Sequence, residues 1–370
     1  MPEIMLDNLL NHLATNYSAD LDFIFWTGDN PPHDIWMESR ESQIASTQYL
    51  VDKLKAAFPK TPVFPTLGNH ESFPVDQFPT PPKNSWLMNP VARMWSYWLP
   101  SDALQTVQYG GYYTTLIRPG LRLISLNTQY CDINNFYLIL NATDPTEQLA
   151  WLTGVLAKAK ASNEIVFIIG HIPFNDVGCL YKYSSQYERL IRQYAPIIKT
   201  QLFGHTHDDS FYLTYSEDNS ASDPISVAYV APSVTTYTNL NPSYRIYEYN
   251  RTDGTILNYQ QYYTDLELTN KQGYPTWTKA YDPISEYGMS SLSPAQWAAV
   301  TARFNATDSY FQRWWFHHYS QTAGRAPCTG GCKSDSLCSM TSSTAKAFLE
   351  CTGQEYNLAN LWEWLMNHLC

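Results

Sequence analysis

Charge is scarce in this sequence of 370 residues. Asp, Glu, Lys and Arg make up 15% of it, against roughly 25% in an average soluble domain. The formal net charge is −11, so a nucleic-acid backbone is an unsuitable partner. Aromatic residues reach 15%, with 28 Tyr and 12 Trp. This composition excludes intrinsic disorder, because disordered chains are rich in charge and poor in aromatic residues.

Long apolar runs and a leader sequence are also missing. The longest apolar run, at 165–169, is far too short to span a bilayer. The chain begins MPEIMLDNLLNHL, without the basic, apolar and small-residue order of a signal peptide. Its apolar residues recur instead at helical spacing: Met5, Leu6, Leu9, Leu10 and Leu13. We therefore expect an amphipathic helix at the start of the chain.

Seven cysteines indicate a compartment: Cys131, Cys179, Cys328, Cys332, Cys338, Cys351 and Cys370. Four of them fall between 328 and 351, which favours disulfides in a secreted or lysosomal protein. Four Asn-x-Ser/Thr sequences are candidate glycosylation sites and agree with this interpretation: Asn16, Asn141, Asn250 and Asn305. A structural zinc cluster is the alternative, although the spacing lacks two Cys-x-x-Cys pairs. Because seven is odd, at least one thiol is unpaired or pairs with another chain.

Predicted strands and helices alternate along the first two hundred residues. Strands are expected at 22–26, 63–66, 112–116, 121–126, 165–169 and 201–203, with several more between 224 and 263. Helices are expected at 38–58, 147–161 and 187–198, with Asp144 as N-cap and Pro145 at the first position of the second of these. A Pro-rich loop covers 72–90. The sequence thus predicts a layered α/β domain over residues 1–265.

Residues 266–370 differ from the first part of the chain in their predicted secondary structure and cysteine content. Helical patches at 294–320 and 356–369 flank the Cys-rich stretch. His317 and His318 lie among aromatic residues and are expected to be packing residues. We interpret this part as a C-terminal helical, disulfide-rich appendage.

Four polar motifs follow predicted strands, each directly after a glycine: Gly28-Asp29, Gly68-Asn69-His70-Glu71, Gly170-His171 and Gly204-His205-Thr206-His207. Open α/β sheets place their sites where the strands end. Taken singly, an Asp or His after Gly is usually a turn or loop residue. Together, Asp, Asn and His ligands are typical of a pair of divalent ions that clamp a phosphoryl group. The joint pattern predicts a metal site.

The order GD…GNHE…GH…GHTH resembles the signature of calcineurin-like dinuclear metallophosphoesterases. Longer segments resemble the family of acid sphingomyelinase and the sphingomyelinase-like phosphodiesterases over essentially the whole chain: WTGDNPPHDIW, GNHESFP, PGLRLISLNTQYC, GHIP, FGHTH and APSVTTYTNLNPSYR. The C-terminal Cys cluster is similar to the acid sphingomyelinase branch. The resemblance implies a metallophosphoesterase fold, in which β-sheets are sandwiched by helices.

The resemblance also implies roles for single residues. Asp29 would bridge two metals, Asn69, His171 and His205 would complete one site, and His207 would serve the other. His33 and His70 would face the substrate, with His33 as proton donor to the leaving group. His33 could instead be a loop histidine beside two prolines, and His70 could hold a neighbouring ligand by a hydrogen bond. Zinc is the expected metal. The implied disulfides are Cys131–Cys179, Cys328–Cys332 and Cys338–Cys351, which leave Cys370 free.

The expected function is that of a phosphodiesterase that hydrolyses sphingomyelin to ceramide and phosphocholine through a metal-activated hydroxide. We expect a secreted or lysosomal monomer that meets its phospholipid at a membrane surface, without a transmembrane segment and without nucleic acid. Aromatic side chains could hold choline by cation–π contacts. The alternatives are a phosphodiesterase for nucleotides or other small molecules and an inactive relative.

One family motif is absent. The family's first strand ends in Asp-x-His, and no such sequence precedes Asp29 here. Asp29, Asn69, His171 and His205 would give one metal four ligands, whereas the other would keep only Asp29 and His207. We therefore expect an N-terminally truncated chain that lacks the first strand, holds about one zinc ion, folds poorly and has little activity. A complete enzyme would hold two.

Overall fold

The structure, a computed structural model, describes residues 2–216 and 223–355. Its strands are β1 Ile24–Trp26, β2 Val63–Pro65, β3 Tyr113–Arg118, β4 Leu121–Ser125, β5 Ile165–Ile169, β6 Ile198–Phe203, β7 Ser210–Tyr215, β8 Pro224–Val230, β9 Ser243–Tyr249, β10 Ile256–Thr264 and β11 Trp277–Tyr281. Its helices are α1 Glu3–Tyr17, α2 Arg40–Ala57, α3 Ser85–Trp95, α4 Ser101–Gly110, α5 Gln148–Ala161, α6 Tyr181–Tyr194, α7 Leu266–Gln272, α8 Pro283–Tyr287, α9 Pro294–Ala306, α10 Asp308–His318, α11 Gly331–Thr341 and α12 Ala345–Cys351.

The largest sheet has six strands in the order β3-β4-β5-β6-β8-β7. Its inner strands β4, β5, β6 and β8 run parallel, and β3 and β7 are antiparallel to their neighbours at the two edges. The continuous apolar sequence of β5, IVFII, is buried at four of its five positions. Such runs are typical of parallel strands that are covered on both faces.

Two smaller sheets carry the remaining strands. β1 pairs with β2 in parallel, and β9, β10 and β11 form an antiparallel sheet in the order β11-β10-β9. Within residues 2–216 and 223–355, β1 has no strand partner except β2, and β9 has none except β10. A trench of about 2050 Å³ is lined by both strands, among others by Leu9, Leu13, Phe25, Leu202, Tyr244 and Ile246. All three residues of β1 are only half-buried.

Helix α6 begins and ends earlier than the sequence predicted. It covers Tyr181–Tyr194, not 187–198, and strand β6 begins at Ile198, not at 201. Pro196 has no amide hydrogen and cannot continue the hydrogen bonding of the helix, so the helix ends. The buried residues Tyr183, Tyr187 and Tyr194 form its apolar face.

The start of α5 also differs from the expected cap. Glu147 has a left-handed backbone (φ 56°), so the helix begins at Gln148 and Pro145 lies outside it. The Asp144 carboxylate nevertheless accepts hydrogen bonds from the amides of Leu149 and Ala150. Asp144 therefore satisfies free amides of the first turn from a greater distance than an N-cap residue does.

The region predicted as a long loop, 72–90, contains the first half of α3. Pro90 lies inside this helix and removes one backbone hydrogen bond. The apolar stripe that includes Leu87, Val91 and Trp95 is buried in the core. Burial of that stripe outweighs the local cost of the proline. Helix α4, at 101–110, was not predicted at all.

The C-terminal region is helical as expected, with one addition: β11 completes the sheet of β9 and β10. The structure contains the three disulfides that the resemblance implied, Cys131–Cys179, Cys328–Cys332 and Cys338–Cys351. The predicted helix at 356–369 and the expected free Cys370 lie outside the described residues. None of the described helices has the length and apolar character that crossing a membrane requires.

Candidate metal centre

The ends of β1 and β2 approach each other so closely that two glycines are needed. Gly28 has a φ of +91°, and a Cβ there would lie 2.4 Å from the amide nitrogen of Gly68. A Cβ on Gly68 would lie 2.1 Å from Oδ1 of Asp29. A larger residue at position 28 would therefore push the two loops apart, and one at position 68 would displace the Asp29 carboxylate.

Glu71 joins the same two loops. Its buried carboxylate accepts hydrogen bonds from the amides of Gly68, Asp29 and Asn30 at 2.7, 3.1 and 2.9 Å. Burial, and next the charge of Asp29, raise the pKa of Glu71 to about 7. Glu71 thus fixes the backbone on both sides of Asp29.

Four predicted ligands meet at the carboxyl ends of the strands. His171 Nε2 lies 3.0 Å from Asp29 Oδ2 and 3.0 Å from Asn69 Oδ1. His205 Nδ1 lies 3.1 Å from the same Asn69 oxygen and 3.3 Å from His171 Nε2. One ligand atom each from Asp29, His171 and His205 all lie within 4.8 Å of one another. β1, β2, β5 and β6 each supply one of the four residues.

The donor chemistry of this cluster fits a divalent cation. His171 Nδ1 lies 2.6 Å from the Thr27 carbonyl oxygen, to which it donates, so in the neutral ring Nε2 presents a lone pair to the cluster. The Asn69 amide nitrogen donates to Asp76 Oδ1 at 2.9 Å, which turns Asn69 Oδ1 toward the cluster. Lone pairs of oxygen and nitrogen therefore converge, and a bound cation relieves their repulsion.

The ionisation of the cluster also fits a bound cation. Burial alone would raise the pKa of Asp29, but His171 and the backbone amide of His70 hold it below its ordinary value. Burial alone would lower the pKa of His171, and Asp29 raises it above its ordinary value. Asp29 is therefore a carboxylate, and a metal ion would take the place of the proton that His171 otherwise shares with it.

The other predicted histidines form a second group beside the cluster. The ring of His33 lies 4.0 Å from that of His70 and 5.4 Å from that of His207, between centroids. Tyr237 stacks on His33 at 3.9 Å. Burial lowers the pKa of His70 and of His207 to about 4, and it also lowers that of His33. His70 and His207 are thus neutral imidazoles above about pH 4.

His207 does not join the three residues whose ligand atoms lie within 4.8 Å, in the part of the chain that the structure describes. Asp29, His205 and His207 all have left-handed backbones, with φ of 58°, 74° and 65°. Such residues cost about 1–3 kcal/mol each, and they cluster at functional sites.

The loop of residues 204–209, which carries His205 and His207, contacts the C-terminal region. Thr206 donates to Asp208 Oδ1 at 2.7 Å, and His318 Nδ1 lies 2.8 Å from the backbone oxygen of Asp209. His318 also stacks on Trp314 at 4.6 Å, as expected of a packing residue. The contact with this loop was not predicted.

Several residues of the centre were missed from the sequence. The carboxylate of Glu71 belongs to the quoted GNHE motif, which was the available signal. Thr27 and Tyr237 lie in the quoted segments WTGDNPPHDIW and APSVTTYTNLNPSYR, which were the signal for them. Asp76 gave none, because it reaches the site only through the folded loop. The candidate glycosylation residues Asn16, Asn141 and Asn305 are exposed, and Asn250 is half-buried.

Residues 5–209 match the family described as Calcineurin-like phosphoesterase, which is more than half of the chain. The chain therefore belongs to that family. Residues 223–358 match the Acid sphingomyelin phosphodiesterase C-terminal region.

Individual proteins of known name are also similar to this chain. Sphingomyelin phosphodiesterase B of Dictyostelium discoideum is 38% identical over 95% of this chain and 57% of its own length. Sphingomyelin phosphodiesterase of Bos taurus is 38% identical over 92% of this chain and 56% of that protein. Cyclic GMP-AMP phosphodiesterase SMPDL3A of Bos taurus is 32% identical over 92% of this chain and 78% of that protein. The chain thus spans little more than half the length of the first two.

Proposed function

We propose that this chain carries the catalytic region of a metal-dependent phosphodiesterase that hydrolyses sphingomyelin to ceramide and phosphocholine. The observation that carries the proposal is the convergence of Asp29, Asn69, His171 and His205 at one edge of the sheets, in a chain similar to sphingomyelin phosphodiesterases. A metal held there would supply Lewis acidity toward the phosphodiester and an activated water.

The protein's own residues account for the rest of the reaction. Glu71 fixes the loop of Asp29, and Asp76 fixes the side chain of Asn69. Asp29 and Asn69 are thereby held in the positions from which they would bind the metal that faces the phosphodiester. His33 is the proton donor to the departing alkoxide, which leaves poorly without a proton. The neutral His70, beside His33, orients the phosphoryl oxygens through its imidazole. The exposed face of Tyr237 offers a surface for the choline cation.

The direct test is product analysis with purified, metal-loaded protein and sphingomyelin in detergent micelles. We expect slow release of phosphocholine by the wild type, in which only one metal is firmly held, and none by His171→Ala. Absence of phosphocholine from a wild-type sample with metal bound would refute the substrate, and absence of turnover on every phosphodiester would favour the inactive relative.

A nucleotide phosphodiesterase is the second candidate. The similarity to the cyclic GMP-AMP phosphodiesterase, which extends over 78% of that protein, favours it. The two functions differ in the leaving group and not in the phosphoryl centre. Competition by nucleotides against sphingomyelin, measured as kcat/KM for each, separates them.

Zinc is the proposed metal, because imidazole nitrogens supply half of the four ligands. Elemental analysis gives the metal's identity and the number of ions per chain. One tightly bound ion is expected at Asp29, Asn69, His171 and His205. A second ion held by Asp29 and His207 alone would bind more weakly, since two protein ligands are fewer than a stable site uses.

The proposed compartment is the secretory pathway or the lysosome, and the proposed assembly is a monomer. Disulfides persist in such oxidising compartments and are rare in the cytosol, and three are present here. Fractionation of expressing cells, glycosidase treatment and light scattering test the location, the glycans at Asn16, Asn141, Asn250 and Asn305, and the mass in solution.

A further inference from the structure

Two short segments expose large apolar side chains to solvent. The first apolar segment consists of Ile35, Trp36 and Met37, of which Trp36 is 79% and Met37 72% exposed. The second apolar segment consists of Phe136, Ile139 and Leu140, of which Ile139 is 82% and Leu140 83% exposed. Each segment forms a short 3-10 turn or follows one directly. Clustered apolar exposure of this kind marks an interaction surface.

The first apolar segment is fixed beside the metal centre. His33, two residues before it, stacks on Tyr237 at the mouth of the trench. Ser39, two residues after it, caps α2, and Gln43 of that helix donates to the His70 backbone oxygen at 2.8 Å. The chain on both sides of this segment therefore contacts residues of the metal centre.

The second apolar segment approaches the loop that follows His70. Gln77, next to Asp76, donates to the Asn134 backbone oxygen at 2.7 Å and accepts from the Phe136 amide at 3.2 Å. Leu138, inside the segment, is buried and anchors it. Gln77 thus joins the second segment to the loop of Asp76, which orients the Asn69 ligand, and both segments lie at the rim of the metal centre.

The charges around the segments identify the surface that suits them. Asp34 and Glu147 are exposed beside the segments, and Asp144 is half-buried. Residues 30–39 and 132–147 contain no Lys or Arg, and one basic residue, Arg40, follows the first range. An anionic membrane attracts basic segments, so it would not favour this acidic rim. A zwitterionic surface imposes no such repulsion, and a Trp side chain partitions readily into its headgroup region.

We infer that the two apolar segments are a docking surface for a zwitterionic phosphocholine bilayer, which holds the metal centre against the lipid headgroups. This inference rests on the proposed lipid substrate and adds to it the surface through which that substrate is reached. Binding of such a surface grows with the apolar area that it buries. Five of the six side chains are at least 60% exposed, and the sixth, Ile35, is 46% exposed.

The test measures sedimentation of the protein with sucrose-loaded phosphatidylcholine vesicles. The protein is made without glycosylation, so that no glycan on Asn141 covers the second segment. The double variants Trp36→Ser/Met37→Ser and Ile139→Ser/Leu140→Ser should each lower the partition coefficient about tenfold or more. The control Leu257→Ser/Phe316→Ser changes two exposed apolar residues outside the segments, each 50% exposed, in β10 and α10. It should bind like the wild type.

Addition of phosphatidylserine at low salt should weaken binding. Equal binding by all variants, or binding that requires phosphatidylserine, would overturn the inference. A wild-type dimer in light scattering that becomes a monomer in the two double variants would also overturn it, since the segments would then bind a second copy of this chain. Vesicle binding requires no turnover. Wild type that binds the vesicles but releases no phosphocholine from sphingomyelin micelles would therefore contradict the proposed function and leave the docking surface intact, whereas turnover of sphingomyelin micelles without vesicle binding would do the reverse.

Discussion

The six-stranded sheet and the small sheet of β1 and β2 differ in how firmly they are built, although each supplies two of the four candidate ligands. His171 and His205 follow β5 and β6, which have neighbours on both sides and are almost fully buried. Asp29 and Asn69 follow β1 and β2, and β1 is half-buried with the trench beside it. The metal centre therefore spans a rigid part of the molecule and a loosely supported one.

This difference teaches where positional accuracy comes from. Strand pairing fixes the strand ends from which His171 and His205 follow, because both edges of β5 and β6 are hydrogen-bonded. For Asp29 and Asn69 the same task falls to side chains: Glu71 holds three backbone amides, and Asp76 holds the Asn69 amide. A bound cation would join the two parts.

The largest effect is expected at His171, the residue in which both parts meet. His171→Ala removes the nitrogen that lies 3.0 Å from both Asp29 and Asn69. Metal affinity should fall at least about a hundredfold, the upper range for loss of an outer-shell partner, and turnover should disappear with it. Elemental analysis and product release measure the two losses. His12→Ala is the control, because His12 contacts the Tyr244 hydroxyl and should leave the metal bound.

His33 belongs to neither sheet and tests whether proton transfer can be lost without loss of the metal. His33→Ala should retain the metal and lose about 10²–10⁴-fold in turnover. Burial lowers the pKa of His33 below its ordinary value of 6.5. The protonated donor is therefore lost as pH rises through that lowered pKa, so wild-type rates should fall between pH 5 and pH 8. A rate that rises steadily over this range, or metal release by His33→Ala, would contradict the role of donor.

A smaller effect is expected from Asp76, which acts on the loosely supported side. Asp76→Ala frees the Asn69 amide to rotate, and metal affinity should fall about 10–100-fold. Asp76→Asn keeps an oxygen that can accept the same hydrogen bond and should restore most of the affinity. Titration with a competing chelator measures both variants. If both variants bind the metal like the wild type, strand pairing alone positions Asn69.

Most strands and the candidate ligands were predictable because their signals are local, although β7, Ser210–Tyr215, was not predicted. An apolar run such as IVFII followed by Gly-His predicts a buried strand and a polar loop from six or seven consecutive residues. Asp76 gave no such signal, since its contact with Asn69 depends on how the Pro-rich loop returns. Strand β11 was missed because its middle residues, Thr278 and Lys279, are exposed and lack apolar alternation. Pro90 concealed α3, whose stability comes from burial in the core and not from local propensity.

The smallest expected effect compares the two sheets directly through amide hydrogen exchange. The Ile24 amide donates to Pro62, and the Trp26 oxygen accepts from Thr66, so both face β2. Because successive residues of a strand point their backbone groups to opposite edges, the Phe25 amide faces the trench. It should exchange at least about tenfold faster than the Phe167 amide in β5, which corresponds to about 1.4 kcal/mol less protection.

The Ile24 amide is the control within the same strand, and it should exchange more slowly than that of Phe25, because its hydrogen bond to Pro62 must open first. This ordering separates an open edge from general instability of β1, in which both amides would exchange at the same fast rate. Exchange of Phe25 as slow as that of Phe167 would show that the edge of β1 is protected in solution. The small sheet would then be as firmly supported as the large one, and Asp29 would owe its position to strand pairing as His171 does.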